Sequence, residues 1–194
     1  METMYPQKLK STYQYPGMSC AELDTIVSMH HQIAFKKGDF LLQEGEVSNC
    51  YYIVQEGILR SFIYDFDGND ITTDFFCIDD LVIEVASIFN QIPTQENVQC
   101  LTDCILWKID YPTFQELFHS IPALTEWGRA WMAYQLFLTK RRTIDMIRLS
   151  AMDRYKQLID HKPLILQQAP LKQIASFLGI TDSSLSRIRK EIFR

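Results

Sequence analysis

The hydrophobic pattern changes period partway along the chain. Between residues 33 and 109 the apolar residues come in short runs: Ile33–Phe35, Phe40–Leu42, Tyr51–Val54, Ile58–Tyr64, Ile71–Ile78 and Val98–Ile109. Gly38, Gly45, Gly57 and Gly68 punctuate them. Short runs at this spacing predict β-strands closed into a sandwich or barrel, which leaves few open edges. Asp67-Gly68, flanked by two runs, predicts a hairpin with a type I′ turn, because that turn needs positive φ. Ahead of the strands, Ser19-Cys20-Ala21-Glu22 predicts a capping box opening a helix with Leu23, Ile26 and Val27 on one face.

From Tyr111 the period is helical. Asp110, Pro112 and Glu116 mark a helix start, with Phe114, Leu117 and Phe118 at helical spacing. Pro122 opens a much longer helix that runs to about Arg148. At about 1.5 Å per residue it spans roughly 40 Å, more than a small domain needs. Trp127, Trp131, Tyr134 and Leu138 recur at intervals of four, three and four, the spacing of a coiled-coil seam, and are read as a dimer interface. The same residues also suit packing on the β module, and both arrangements can hold along different turns. Residues 150–161 form another helical pattern, ended by His161-Lys162-Pro163. The expected organisation is a β module over 1–121, a connecting helix over 122–148 and a helical domain over 149–194.

Composition bounds the function. The 194 residues carry a net charge of −5, but unevenly. Residues 1–139 hold 7 Lys and Arg against 19 Asp and Glu, and residues 140–194 hold 12 against 5. An acidic front joined to a basic tail points the tail toward a polyanion. No apolar run reaches the roughly 18 residues of a membrane span, and residues 1–10 do not resemble a signal peptide, so a cytoplasmic protein with no membrane partner is expected. Five cysteines do not read as a disulfide framework. Cys100 and Cys104 share a face if they lie on one regular strand, and read as core. His30, His31, His119 and His161 lack metal-ligand spacing, and no Walker loop, GxGxxG or nucleophile–base set appears. The expectation is a binding protein without metal or cofactor, not an enzyme. A metal enzyme of the cupin sort would need clustered His and carboxylate ligands that are missing.

The most informative segment is Leu171–Lys190, LKQIASFLGITDSSLSRIRK. Ile174, Leu178, Ile180, Leu185 and Ile188 suit two helices burying each other. Ala175 is small where they cross, Gly179 permits a left-handed turn, and Thr181 is a good N-cap. This is the helix-turn-helix pattern. On the second helix Ser183, Ser184 and Ser186 are short donors and acceptors, and Arg187 has the fork geometry that pairs with guanine. Arg189, Lys190 and Arg194 reach toward phosphates, and the helix N-terminus attracts them. Asp182 opposes that attraction, and so caps the helix or accepts from a cytosine amine.

The glycine-punctuated segments FKKGDFLLQEGE and YYIVQEG, the long helix and LGITDSSLSRIRK together resemble the Crp/Fnr family of bacterial transcription regulators, from about Cys20 to Arg194. The resemblance implies an α+β chain: an N-terminal double-stranded β-helix of cyclic-nucleotide-binding type, a dimerisation helix and an all-α helix-turn-helix domain. It further implies a homodimer, a palindromic operator in double-stranded DNA with half-sites about one helical turn apart, and RNA polymerase as a further partner. The guanine-reading arginine of the family matches Arg187. Two further reading positions match Asp182 and Ser183, where the best-known member has Arg and Glu, so a different sequence should be read.

Members that bind cyclic AMP carry a Gly-Glu pair and, about ten residues on, an Arg-Ser pair. The corresponding stretch here, IDDLVIEVASIFNQIPTQENVQ, has neither glycine nor arginine. Counting back from Ile109, the Arg-Ser positions fall at Thr94 and Gln95. Glu84, Glu96, Asp79 and Asp80 add negative charge. Losing a charge-assisted hydrogen bond costs about 1.5–3 kcal/mol, so tight cyclic AMP binding in the usual mode is not expected. Any effector is unidentified, with Glu84, Thr94, Gln95 and Thr139 as candidate contacts. Relatives with an iron–sulfur centre carry an N-terminal cysteine cluster, and here Cys20 stands alone. If the protein ends at Arg194, the family's β-hairpin wing is absent, and DNA affinity should lean on Lys172, Arg189, Lys190 and the dimer. The readings left beside a DNA-binding regulator are a cyclic-nucleotide-responsive regulator with a non-standard phosphate site, and a cyclic-nucleotide-binding-like module controlling a partner protein.

Overall fold

The computed structural model describes residues 5–192. Arg194 lies outside the described residues. Two helices come first, α1 (Tyr5–Tyr13) and α2 (Cys20–Ser28). The capping box is present: Glu22 accepts from the Ser19 amide at 2.7 Å while Ser19 Oγ accepts from the Glu22 amide at 3.3 Å. The roll follows as β1 (His31–Phe35), β2 (Phe40–Leu42), β3 (Cys50–Glu56), β4 (Leu59–Tyr64), β5 (Asp70–Phe76), β6 (Leu81–Val82), α3 (Val85–Asn90), β7 (Asn97–Cys100) and β8 (Cys104–Asp110). The helical half is α4 (Tyr111–Ser120), α5 (Pro122–Arg148), α6 (Ala151–His161), α7 (Pro163–Gln168), α8 (Leu171–Phe177) and α9 (Asp182–Ile192). Pro163 ends α6 and also opens α7, since a proline lacks the one N–H that a first turn can spare.

Two antiparallel sheets, β1-β8-β3-β6 and β2-β7-β4-β5, face each other. The two-residue period sorts their side chains. Cys50, Tyr52 and Val54 of β3 and Cys104 and Leu106 of β8 turn inward onto Leu59, Val98 and Cys100. The intervening Tyr51, Ile53 and Ile109 turn outward onto α1, α2, α4 and the start of α5, through Tyr13, Ile26, Phe114, Leu124 and Trp127. A third cluster joins Ile58, Phe75 and Leu101 of the roll to Tyr155, Leu158, Ile165, Ile174, Ala175 and Leu185 of the last helices. The roll and the C-terminal helices therefore share a core.

The fold class is the expected one: α+β, an antiparallel roll followed by helices. One local expectation needs correction. Only Gly68 in the β4–β5 loop has positive φ, so the turn is not type I′. Instead the Asp65 carboxylate closes a longer loop, accepting from the amides of Asp67 at 3.0 Å and Asn69 at 2.8 Å. Cys100 and Cys104 are buried as expected, but on two strands, ending β7 and opening β8.

Candidate functional site

The helix pair α8–α9 is built around its crossing. Ile174, Ala175, Leu178 and Leu185 are buried between the helices and the roll. Gly179 has φ +66°, and a Cβ there would stand 2.6 Å from the Met146 methyl of α5. The positive φ demands glycine, while the Met146 side-chain tip could swing aside for a methyl group. Thr181 caps α9, its Oγ1 accepting from the Ser184 amide at 3.3 Å. The Ser183 and Ser184 hydroxyls lie 3.0 Å from the same oxygen.

The candidate DNA-reading residues divide into two groups. Asp182, Ser183, Ser186, Arg187 and Lys190 form one exposed face of α9, and Lys172 is exposed at the start of α8. Thr181 and Ser184 are tied into the helix cap, and Arg189 is half-buried on the flank. The exposed face carries two cations, two hydroxyls and the Asp182 carboxylate at its N-terminal end, with no bulky apolar group, so a polyanion can approach the Arg187–Lys190 part closely.

A cavity of about 440 Å³ opens between the sheets, lined by Leu41, Leu42, Val47, Val82 and Val98 with Tyr52, Glu46, Glu84 and Lys108 among its polar groups. Register puts Lys108, Tyr52 and Val82 side by side across β8, β3 and β6. Of the four candidate effector contacts only Glu84 lines this cavity. Its carboxylate caps α3, accepting from the amides of Ala86 at 3.2 Å and Ser87 at 2.5 Å. An incoming anion would have to displace that carboxylate from the amides. Thr94 is buried as a turn residue, its amide donating to Glu46 O and its carbonyl accepting from the Gly45 amide. Gln95 and Thr139 are exposed. Among the lining residues the cation is Lys108, already 2.8 Å from Asp110, which holds its ammonium pKa above the usual value. Arg60 is not among the lining residues and is forked onto Asp70 at 2.5 and 2.6 Å and stacked on Phe62.

Along α5 the structure separates two faces that the spacing could not. Trp127 is 8% exposed in the core of its own chain, with Nε1 donating to Thr12 O at 2.8 Å, and Trp131 packs on the same core. The four-three-four seam therefore begins as the face turned toward the roll, and Trp127 is not available to a second subunit. Tyr134 and Leu138 continue it exposed. A second series, Ala133, Phe137, Lys140, Ile144 and Ile147, also recurs at four-three-four-three. It is open, with Phe137 56% and Ile147 81% exposed. Sequence reasoning missed this face because alanine and lysine dilute its apolar signal. Among the described residues no helix is long and apolar enough to cross a membrane.

Residues 32–120 match the family model for the cyclic nucleotide-binding domain. Two curated relatives are the cAMP-dependent protein kinase type II regulatory subunit of Drosophila melanogaster, 21% identical over 57% of this chain and 28% of that protein, and the cAMP-dependent protein kinase regulatory subunit of Candida albicans, 22% identical over 60% and 24%. The chain thus spans about a quarter of the length of these relatives. Solved structures extend the likeness into the helical half. FixK2 from Bradyrhizobium japonicum matches with a TM-score of 0.73 at 16% identity, over 84% of both chains. The c-di-GMP responsive global regulator CLP from Xanthomonas campestris matches at 0.69 and 16%, over 90% of this chain and 91% of that one. The Thermus thermophilus catabolite activator protein matches at 0.58 and 16%, over 91% and 84%. The resemblance to the Crp/Fnr family read from the residues therefore holds at the level of the fold: a cyclic-nucleotide-binding-type roll, a long helix and a terminal helix pair.

Proposed function

We propose that this chain is a homodimeric, sequence-specific DNA-binding transcription regulator of Crp/Fnr type, acting in the cytoplasm and catalysing no reaction. The observation that carries this reading is the exposed face of α9, where Ser183, Ser186, Arg187 and Lys190 stand clear of the chain's own core. Two such helices related by a dimer axis would enter successive major grooves, with RNA polymerase as the downstream partner. The open face of α5 through Phe137, Ile144 and Ile147 supplies the seam. Selection of bound sequences from a random DNA pool tests the reading, and enrichment of a palindrome supports it. No retention of any duplex at low ionic strength overturns it.

Two residues separate reading from anchoring. Arg187→Ala should cost about 1–3 kcal/mol and relax one base position. Lys190→Ala should weaken all sequences alike and lower the salt slope by about one. Competition binding at several salt concentrations measures both.

The regulator is proposed not to respond to cyclic AMP in the usual mode, because Glu84 already occupies the α3 amides and no arginine lines the cavity. Calorimetry with cyclic AMP should show no micromolar binding. Heat of binding in that range would favour the cyclic-nucleotide-responsive alternative with a non-standard phosphate site.

A further inference from the structure

Strand β5 is the outer strand of its sheet, so one of its edges is left without a strand partner. Such an edge needs its polar groups covered. Here the cover comes from the C-terminal helices. The Thr72 amide donates to Ser176 Oγ of α8 at 3.1 Å. A bulge pairs Ser61 with Asp74 and Phe62 with Thr72, which leaves Thr73 out of the ladder. The freed Thr73 carbonyl accepts from Arg142 of α5. The Phe75 carbonyl accepts from Lys162, which also pairs with Asp80 at 2.9 Å.

Arg142 is the centre of this clasp. Its second nitrogen donates to the Phe177 carbonyl at 3.2 Å, capping the C-terminal end of α8, where cations are favoured. Its guanidinium lies 4.1 Å from the Phe177 ring centroid. Burial lowers its pKa, and the charges of Asp74 and Glu96 act in the opposite direction. One side chain on the long helix thus holds a strand of the roll and the first helix of the pair together, while the exposed face of α9 stays open.

We infer that Arg142 is a positioning residue: it touches no DNA, and it sets operator affinity by fixing the helix pair on the β5 edge. This rests on the DNA-binding reading above. The test is Arg142→Gln in the full chain, read by amide hydrogen exchange and by operator binding across salt concentrations. Exchange in β5 and α8 should quicken about tenfold, with β3 and β8 unchanged. Affinity should fall about tenfold with the salt slope unaltered, since no phosphate contact is lost. Arg142→Lys keeps the charge but cannot span both carbonyls, and should lie between the two. Unchanged exchange and affinity overturn the inference, and so does a reduced salt slope, which would place Arg142 on phosphate. If Arg142→Gln fails to fold, Ser176→Ala removes a single clasp bond and should quicken exchange at Thr72, and no change there overturns the clasp. If the wild-type chain binds no DNA, the DNA-binding reading falls, and exchange alone decides whether Arg142 holds the helix pair.

Discussion

A chain carrying Phe137→Glu and Ile147→Glu is expected to sediment as a folded monomer and to lose operator affinity by roughly 10²–10⁴-fold, the range over which linked binding exceeds single-site binding. Both side chains point away from their own chain, at 56% and 81% exposure. Charging them costs the protomer little, so thermal stability under monomeric conditions should be near the wild-type value. Two facing glutamates per subunit would repel across a symmetric seam. The control is Trp127→Ala, which should destabilise the fold, because that ring sits 4.7 Å from Tyr13 within the core. A dimer that survives both glutamates would mean that the subunits meet elsewhere.

The second large effect falls on Phe75. It is fully buried in β5, with its ring centroid 5.2 Å from that of Phe177. Phe75→Ala should cost about 3–5 kcal/mol, the usual range for removing a buried aromatic ring. Because the same cluster holds Ile58, Leu101, Tyr155 and Ile174, the loss should appear as one shifted transition rather than early melting of the last helices alone. Scanning calorimetry reads this directly. Phe66→Ala is the matched control: the ring at the loop tip is 104% exposed, and its removal should stay within about 0.5 kcal/mol. Two separated transitions in the wild type would show that the roll and helices do not share a cooperative core.

Local signals were reliable where the chemistry is local. The Ser19–Glu22 box, the strand runs and Gly179 with the Thr181 cap depend on neighbours within a few residues, and each is present where the residues indicated. Where several local solutions satisfy one pattern, the reading was weaker. Asp67-Gly68 marked a hairpin but not its turn, because Asp65 offered a carboxylate that closes a longer loop. Thr94 and Gln95 were located by counting along the chain, but a count cannot tell that the Thr94 backbone is bonded to Gly45 and Glu46 or that Gln95 faces solvent. The clasp had no sequence signal at all: Arg142 read as one more cation in a basic region.

The switch from a two-residue to a helical period, the polar face of α9 and the lack of arginine between Ile78 and Gln99 are all written in the residues, because period and charge are properties of the chain. Which apolar face of α5 is open, where Glu84 points and what covers the β5 edge arise only when distant segments meet. Some of those contacts join residues more than a hundred positions apart, 104 for Thr72 and Ser176 and 115 for Thr12 and Trp127. Burial is a property of the packed whole, and no window of sequence contains it.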